Sequence, residues 1–164
     1  MKIDTKITVR LALFAAISIV LGKFLQIPIG ESIRISFENL TLILAGYLYG
    51  PLAGVLCAVC ADLLGCFLRA YAINPIIMAG AAVIGLFAGA FGRKGFFKKP
   101  SLALSVAFAH VCGSMIIKSI GLKVYFATPW IELLPRIPIY IVVGSIEYLL
   151  IRFCLNHKGF KELL

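Results

Sequence analysis

Charged side chains are scarce in this chain of 164 residues. They make up 14% of it, and acids are the scarcer sign, seven Asp and Glu against sixteen Lys and Arg. Hydrophobic residues make up 62% and the mean hydropathy is +1.04. So few polar groups could not cover that apolar content in water, which excludes a soluble globular domain and makes a bilayer the solvent. The chain has no G-x-x-x-x-G-K-[ST] loop to cradle nucleotide phosphates, no H-E-x-x-H pair for zinc and no G-x-S-x-G nucleophile turn. Any energy from ATP must therefore come from another subunit, and no metal or cofactor is expected. The odd count of five cysteines argues against a disulfide framework. Cys57 and Cys60 form a C-x-x-C, but on a helix rich in small residues they read as packing thiols.

Apolar runs are what the chain has in abundance. Cut at turn signals, they cover Ile7 to Ile27, Asn39 to Tyr49, Pro51 to Ala70, Pro75 to Phe91, Ser101 to Leu122 and Arg136 to Leu155. A spanning helix needs roughly 20 residues, so the expectation is one all-α membrane domain over 1–164 with six transmembrane helices. The second run is too short to cross alone and is expected to tilt, or to have its loop dip into the protein. Three basic clusters separate the runs: Lys2, Lys6 and Arg10; Arg93, Lys94, Lys98 and Lys99; Arg152, Lys158 and Lys161. Their placement reads as topology rather than as a surface for nucleic acid. By the positive-inside rule all three are cytoplasmic, which requires four crossings before the second cluster and two after it, with both termini cytoplasmic. The start resembles a signal peptide in charge and hydropathy, but no clear cleavage site follows, so the first helix is expected to stay attached.

Between the first two runs Ile33, Ile35 and Phe37 alternate with Arg34, Ser36 and Glu38, the period of an extended segment. Topology places it outside, where it is either a lid over a ligand or an ordinary connection; Gly30 gives it a flexible approach. Small residues recur every fourth position at Ala53, Cys57, Ala61 and Gly65, and again at Ala81, Gly85 and Gly89, spacing that lets membrane helices approach closely. A further pair, Ala12 and Ala16, lies among large apolar residues of the first run. It could pack internally or receive a partner's helix.

Ionisable groups within membrane helices cost about 2.5 to 3.5 kcal/mol each at the centre on insertion scales, so they face the bundle interior or a polar cavity. Here they form stripes: Arg136, Tyr140, Gly144 and Glu147; His110, Ser114 and Lys118; Asp62 and Arg69. One reading is a set of structural bonds between helices, with Asp62 or Glu147 paired to a Lys or Arg and His110 bonded to a neighbouring helix rather than to metal. The other is a cavity. Arg34, Arg69, Lys118, Lys123 and Arg136 all fall in the outer half, where an excess of positive charge suits a small anionic solute. Asp62 and Glu147 lie deeper, where a carboxylate can accept N–H groups of a heterocycle. Phe37, Asn74 and Tyr125 complete the candidate ligand contacts.

Arg34-Ile-Ser-Phe-Glu-Asn-Leu, then Leu44-Ala-Gly-Tyr-Leu-Tyr-Gly-Pro-Leu-Ala-Gly, then Ala61-Asp-Leu-Leu-Gly resemble the S-components of energy-coupling factor (ECF) vitamin transporters, and most of all their folate-specific branch. The resemblance implies a bacterial, multi-pass plasma-membrane subunit. It would capture a vitamin from outside and deliver it through a membrane scaffold subunit and two ATPases, toppling in the bilayer to release it. It further implies that Ala12 and Ala16 dock the scaffold and that the segment from Arg34 to Phe37 gates the site. The chain departs from the folate pattern at Thr41, where that pattern has Pro, and at Ala72-Ile-Asn-Pro75, where it has Phe-Pro-Gly. Folate fits the charges, its carboxylates on the outer basic groups and its pterin on the deeper acids. Another anionic vitamin or a pterin or pyrimidine precursor fits them too, and a membrane enzyme using Asp62, His110 and Glu147 is the reading from a different class.

Overall fold

The computed structural model describes residues 4–29, 33–97 and 100–157. Gly30 and the basic residues Lys2, Lys98, Lys99, Lys158 and Lys161 lie outside them. Six principal helices form: α1 Thr5–Phe24, α2 Glu38–Tyr49, α3 Pro51–Leu68, α4 Pro75–Ala90, α5 Leu102–Phe126 and α6 Arg136–Asn156. A single helical turn, Trp130–Leu133, precedes α6. These match the six expected runs to within a few residues, because the breaks are written in strong punctuation. Gly50 adopts φ +97°, a conformation glycine takes without strain, and Pro51 then begins α3. Asn74 caps α4, its Oδ1 accepting from the backbone N–H groups of Ile76 and Ile77, and Pro75 follows at the first helical position.

The fold is not purely helical. Ile27–Ile29 (β1) and Ile33–Ile35 (β2) pair antiparallel in the register Ile27 to Ile35, Pro28 to Arg34 and Ile29 to Ile33. The alternation at residues 33 to 38 thus marks one strand of a hairpin, and the first run stops at Phe24 instead of Ile27. Among the described residues four helical segments are long and apolar enough to cross a membrane: Thr5–Phe24, Pro51–Leu68, Leu102–Phe126 and Trp130–Asn156. At about 1.5 Å per residue α2 reaches only about 18 Å, short of a hydrocarbon core of about 30 Å. It compensates by position, lying at the centre of the bundle with every residue from Thr41 to Tyr49 buried.

Small residues bring α2, α3 and α4 together. A Cβ on Gly54 or on Gly85 would run into the backbone of the facing helix, and one on Gly46 would lie 2.7 Å from the Gly85 carbonyl oxygen. Two helices change pitch partway along. Val20–Phe24 in α1 and Ala109–Ile117 in α5 are π-helical, with wider turns that carry side chains around the axis more slowly than an i, i+4 pattern assumes. Both wide stretches supply residues to the polar interior.

Candidate functional site

The ends of α1, α3 and α5 and the starts of α2, α4 and α6 meet at the hairpin end of the bundle. A cavity of about 480 Å³ opens among them. Lys23 and Gln26 enter it from the end of α1, Arg34 and Ser36 from the hairpin, Glu38 from the start of α2, and Asp62 and Cys66 from α3. Tyr71 and Asn74 come from the α3–α4 connection, Lys118, Leu122 and Phe126 from α5, Thr128 from the link beyond it, and Arg136 and Tyr140 from α6. A second hollow of about 460 Å³ lies between α5 and α6, but its lining is mostly aliphatic. Convergent polar groups distinguish a ligand site from a crevice, and they converge at the hairpin end.

Charge is organised there in pairs. Lys118 Nζ lies 2.7 Å from Glu38 Oε1, and Lys23 Nζ lies 3.5 Å from Asp62 Oδ1. Arg136, buried at the start of α6, donates through Nη2 to the Ser114 carbonyl at 3.1 Å and to the Tyr140 hydroxyl at 3.3 Å. Its Nε is buried with no partner. Among the described residues Arg34 and Arg136 have no carboxylate within ion-pair distance, so after the two pairs cancel, two guanidinium groups remain for an anion. An aromatic and cationic stack closes the rim. The Arg69 guanidinium lies 5.4 Å from the Phe24 ring centre and 5.9 Å from that of Tyr71, and Arg34 lies 5.2 Å from Tyr71. It ties the hairpin to the α3–α4 connection.

Of the ligand contacts expected from sequence, Arg34, Asp62, Asn74, Lys118, Arg136 and Tyr140 line the cavity. Asn74 does so with little left to offer, since its amide nitrogen donates to the Gly121 carbonyl at 3.1 Å and its oxygen is spent on the α4 cap. Phe37, Arg69, Tyr125 and Glu147 are not among the lining residues. Phe37 is half-buried at the N-cap of α2, Arg69 stacks on the rim, and Tyr125 is exposed near the end of α5. Glu147 is corrected most clearly. It sits eleven residues along α6 from Arg136, about 16 Å at helical rise, and its Oε2 lies 2.7 Å from His110 Nε2 in an enclosed pair. The interhelical bond expected of His110 is therefore present, and Glu147 is its partner. Sequence reading missed Lys23, Gln26, Glu38 and Tyr71. Lys23 and Glu38 carried a signal, as ionisable residues at the inner margins of apolar runs.

Ala12 and Ala16 are exposed on α1 beside the exposed Val9, Leu13 and Ile17, on a flank that no helix of the bundle covers. The cysteine pair points two ways, with Cys57 buried against the Leu11 carbonyl and Cys60 exposed, and all five thiols are free.

A six-helix apolar bundle with a polar cavity at one end is the architecture of a membrane protein with room for a small solute. The family model for the substrate-specific component of ECF transporters matches residues 6–155, and the chain belongs to that family of binding components, which are not enzymes. Two solved structures share the fold. One, described as FolT bound with folic acid, aligns over 92% of each chain with a TM-score of 0.75 and 19% identity. The other, the S component of a bacterial ECF transporter, aligns over 92% of this chain and 94% of its own with a TM-score of 0.68 and 20% identity. No curated protein sequence matches the chain.

Proposed function

We propose that this subunit binds folate or a closely related pterin vitamin at the hairpin end and serves its uptake as the specificity component of an ATP-driven ECF transporter. The observation that carries the reading is the charge left over in the cavity. Four cations and two carboxylates line it, and the two internal pairs leave Arg34 and Arg136 to hold the carboxylates of a glutamate-tailed ligand. The paired acids below offer acceptors to ring N–H groups, and 480 Å³ falls within the range of small-molecule sites. The likeness to a structure holding folic acid supports the same choice.

In this reading all six helices traverse the bilayer, both termini are cytoplasmic, and the hairpin end faces outward in a bacterial plasma membrane. ATP is hydrolysed by two partner subunits, and Ala12 and Ala16 receive the membrane scaffold. Titration calorimetry of the detergent-solubilised protein tests the ligand. Tight folate binding without nucleotide is expected; binding confined to an unrelated vitamin would keep the transporter and reject folate. Ala12→Trp combined with Ala16→Trp tests the partner face, since two indole rings would fill a helix-docking flank without reaching the cavity. Uptake and co-purification with the scaffold should be lost while calorimetric affinity is retained, and a double variant that still assembles and transports would rule the face out.

A further inference from the structure

The Lys118–Glu38 pair is built more tightly than a chance contact at a cavity wall. Lys118 and Glu38 are held in slots left by glycines: a Cβ on Gly80 would lie 2.7 Å from Lys118 Cγ, and one on Gly22 would lie 2.6 Å from Glu38 Cβ. The Glu38 carbonyl accepts from Ser18 Oγ at 2.8 Å, which fixes the start of α2 against α1. Both side chains line the cavity and also a small hollow beneath it, shared with Lys23 and Asp62. Each of these four charges has a partner of opposite sign, so the floor as a whole is neutral. A neutral floor does not select for ligand charge. It selects for the order of donors and acceptors.

At the tighter pair that order is specific. An ammonium, donor only, stands 2.7 Å from a carboxylate, acceptor only. A 2-amino-4-oxopyrimidine ring presents the complementary edge: a carbonyl oxygen for the ammonium, then a ring N–H and an amino N–H that a carboxylate accepts side by side. We propose that Lys118 and Glu38 together read the 2-amino-4-oxo edge of the ligand's ring, and that Glu38 is the residue that sets its specificity. The assignment rests on the pterin reading above. It adds which edge is recognised and by which residues, and it separates Glu38 from Asp62, whose partner Lys23 lies farther away at 3.5 Å.

Lumazine, the 2,4-dioxo analogue of pterin, replaces the amino donor with a second carbonyl and turns an oxygen toward the Glu38 carboxylate. Leaving buried acceptors face to face costs enough that wild-type protein should bind lumazine at least about tenfold more weakly than pterin in mildly acidic buffer, where both rings are neutral. Glu38→Gln supplies an amide that can donate to the new carbonyl while its oxygen accepts the ring N–H. Titration of both ligands should therefore show pterin binding falling and lumazine binding rising, so that the preference inverts, whereas Asp62→Asn should leave the preference for pterin in place. A gain for lumazine cannot arise from a damaged fold, and the wild-type ratio needs no variant. Wild-type protein that binds folate yet treats pterin and lumazine alike would overturn the assignment alone, as would equal losses in Glu38→Gln or an inversion in Asp62→Asn. Wild-type protein that binds no pteridine would overturn the vitamin reading and this assignment with it.

Discussion

The hairpin-end cavity and the His110–Glu147 pair both draw on α5 and α6, with side chains at the same helical spacings, although the cavity adds residues from the hairpin and the other four helices. They differ in what surrounds them. All four side chains are buried, but Lys118 and Arg136 border the polar cavity, whereas Glu147 is fully enclosed and His110 borders only the largely apolar hollow between α5 and α6. Tyr140 stands between the two regions, accepting from Arg136 on one side and tilted 5.7 Å from the His110 ring on the other. A polar stripe on one helix thus lines the polar cavity at one end and pairs internally farther along the bundle.

That difference can be broken most forcefully at the closed end. Removing one member of a buried pair strands the other in an apolar interior, which costs about 3–5 kcal/mol. Glu147→Ala or His110→Ala should therefore lower the unfolding temperature markedly in detergent, while the fraction that stays folded keeps its ligand affinity. Replacing both with apolar residues of similar volume, His110→Leu with Glu147→Met, should recover most of the loss, because a well-packed apolar pair needs no desolvation. If either single variant unfolds normally but loses ligand, the two regions are one site.

Next in size is Arg136. Truncating a desolvated partner of an anion costs about 2–5 kcal/mol, so Arg136→Ala should weaken folate by at least about thirtyfold and a tailless pterin far less. Arg34→Ala acts in the same direction with a smaller loss, because its guanidinium is exposed on the hairpin. Calorimetry with tailed and tailless ligands makes the comparison, and equal losses for both would remove the carboxylates from these residues.

Much of the architecture was legible in the sequence, and the reason is local. Gly50-Pro51 and Asn74-Pro75 mark helix boundaries by backbone chemistry alone, and the alternation at 33 to 38 announced a strand. Which charges meet was not legible. His110, Ser114 and Lys118 look like one face at i, i+4 spacing, yet through the π-helical stretch of α5 they find three partners, Glu147, Asn39 and Glu38. Lys23 lies in the π-helical end of α1 and meets Asp62 thirty-nine residues on, a pairing fixed by packing rather than by spacing. Glu147 was drawn to the cavity by its stripe, and only the third dimension shows the stripe crossing from an open region into a closed one.

The smallest expected effect concerns the rim, where Tyr71 is partly exposed and lies on the connection between α3 and α4. A hydrogen bond from Arg69 holds the Tyr71 phenol below the usual tyrosine range, partial burial opposes this, and Gln26 and the charges of Arg34 and Arg69 add to the lowering. A group whose pKa is lowered on folding adds stability above its unfolded value, about 10 for tyrosine, and that stability is lost as pH falls through the folded value. The stack therefore gains nothing from titration at neutral pH and tightens only in alkaline solution. At neutral pH it rests on cation–π contacts worth about 0.5–1 kcal/mol each at exposed sites. The difference between the ultraviolet titrations of wild type and Tyr71→Phe isolates this phenol from the other five tyrosines. It should ionise at lower pH than an ordinary tyrosine, and Arg69→Gln should move it back up. Added salt should do the same more weakly, because charges at an exposed rim are screened. A Tyr71 titration unchanged by Arg69→Gln would mean that no hydrogen bond ties the two residues in solution, and that the stack of the hairpin's Arg34 on Tyr71 stands without it.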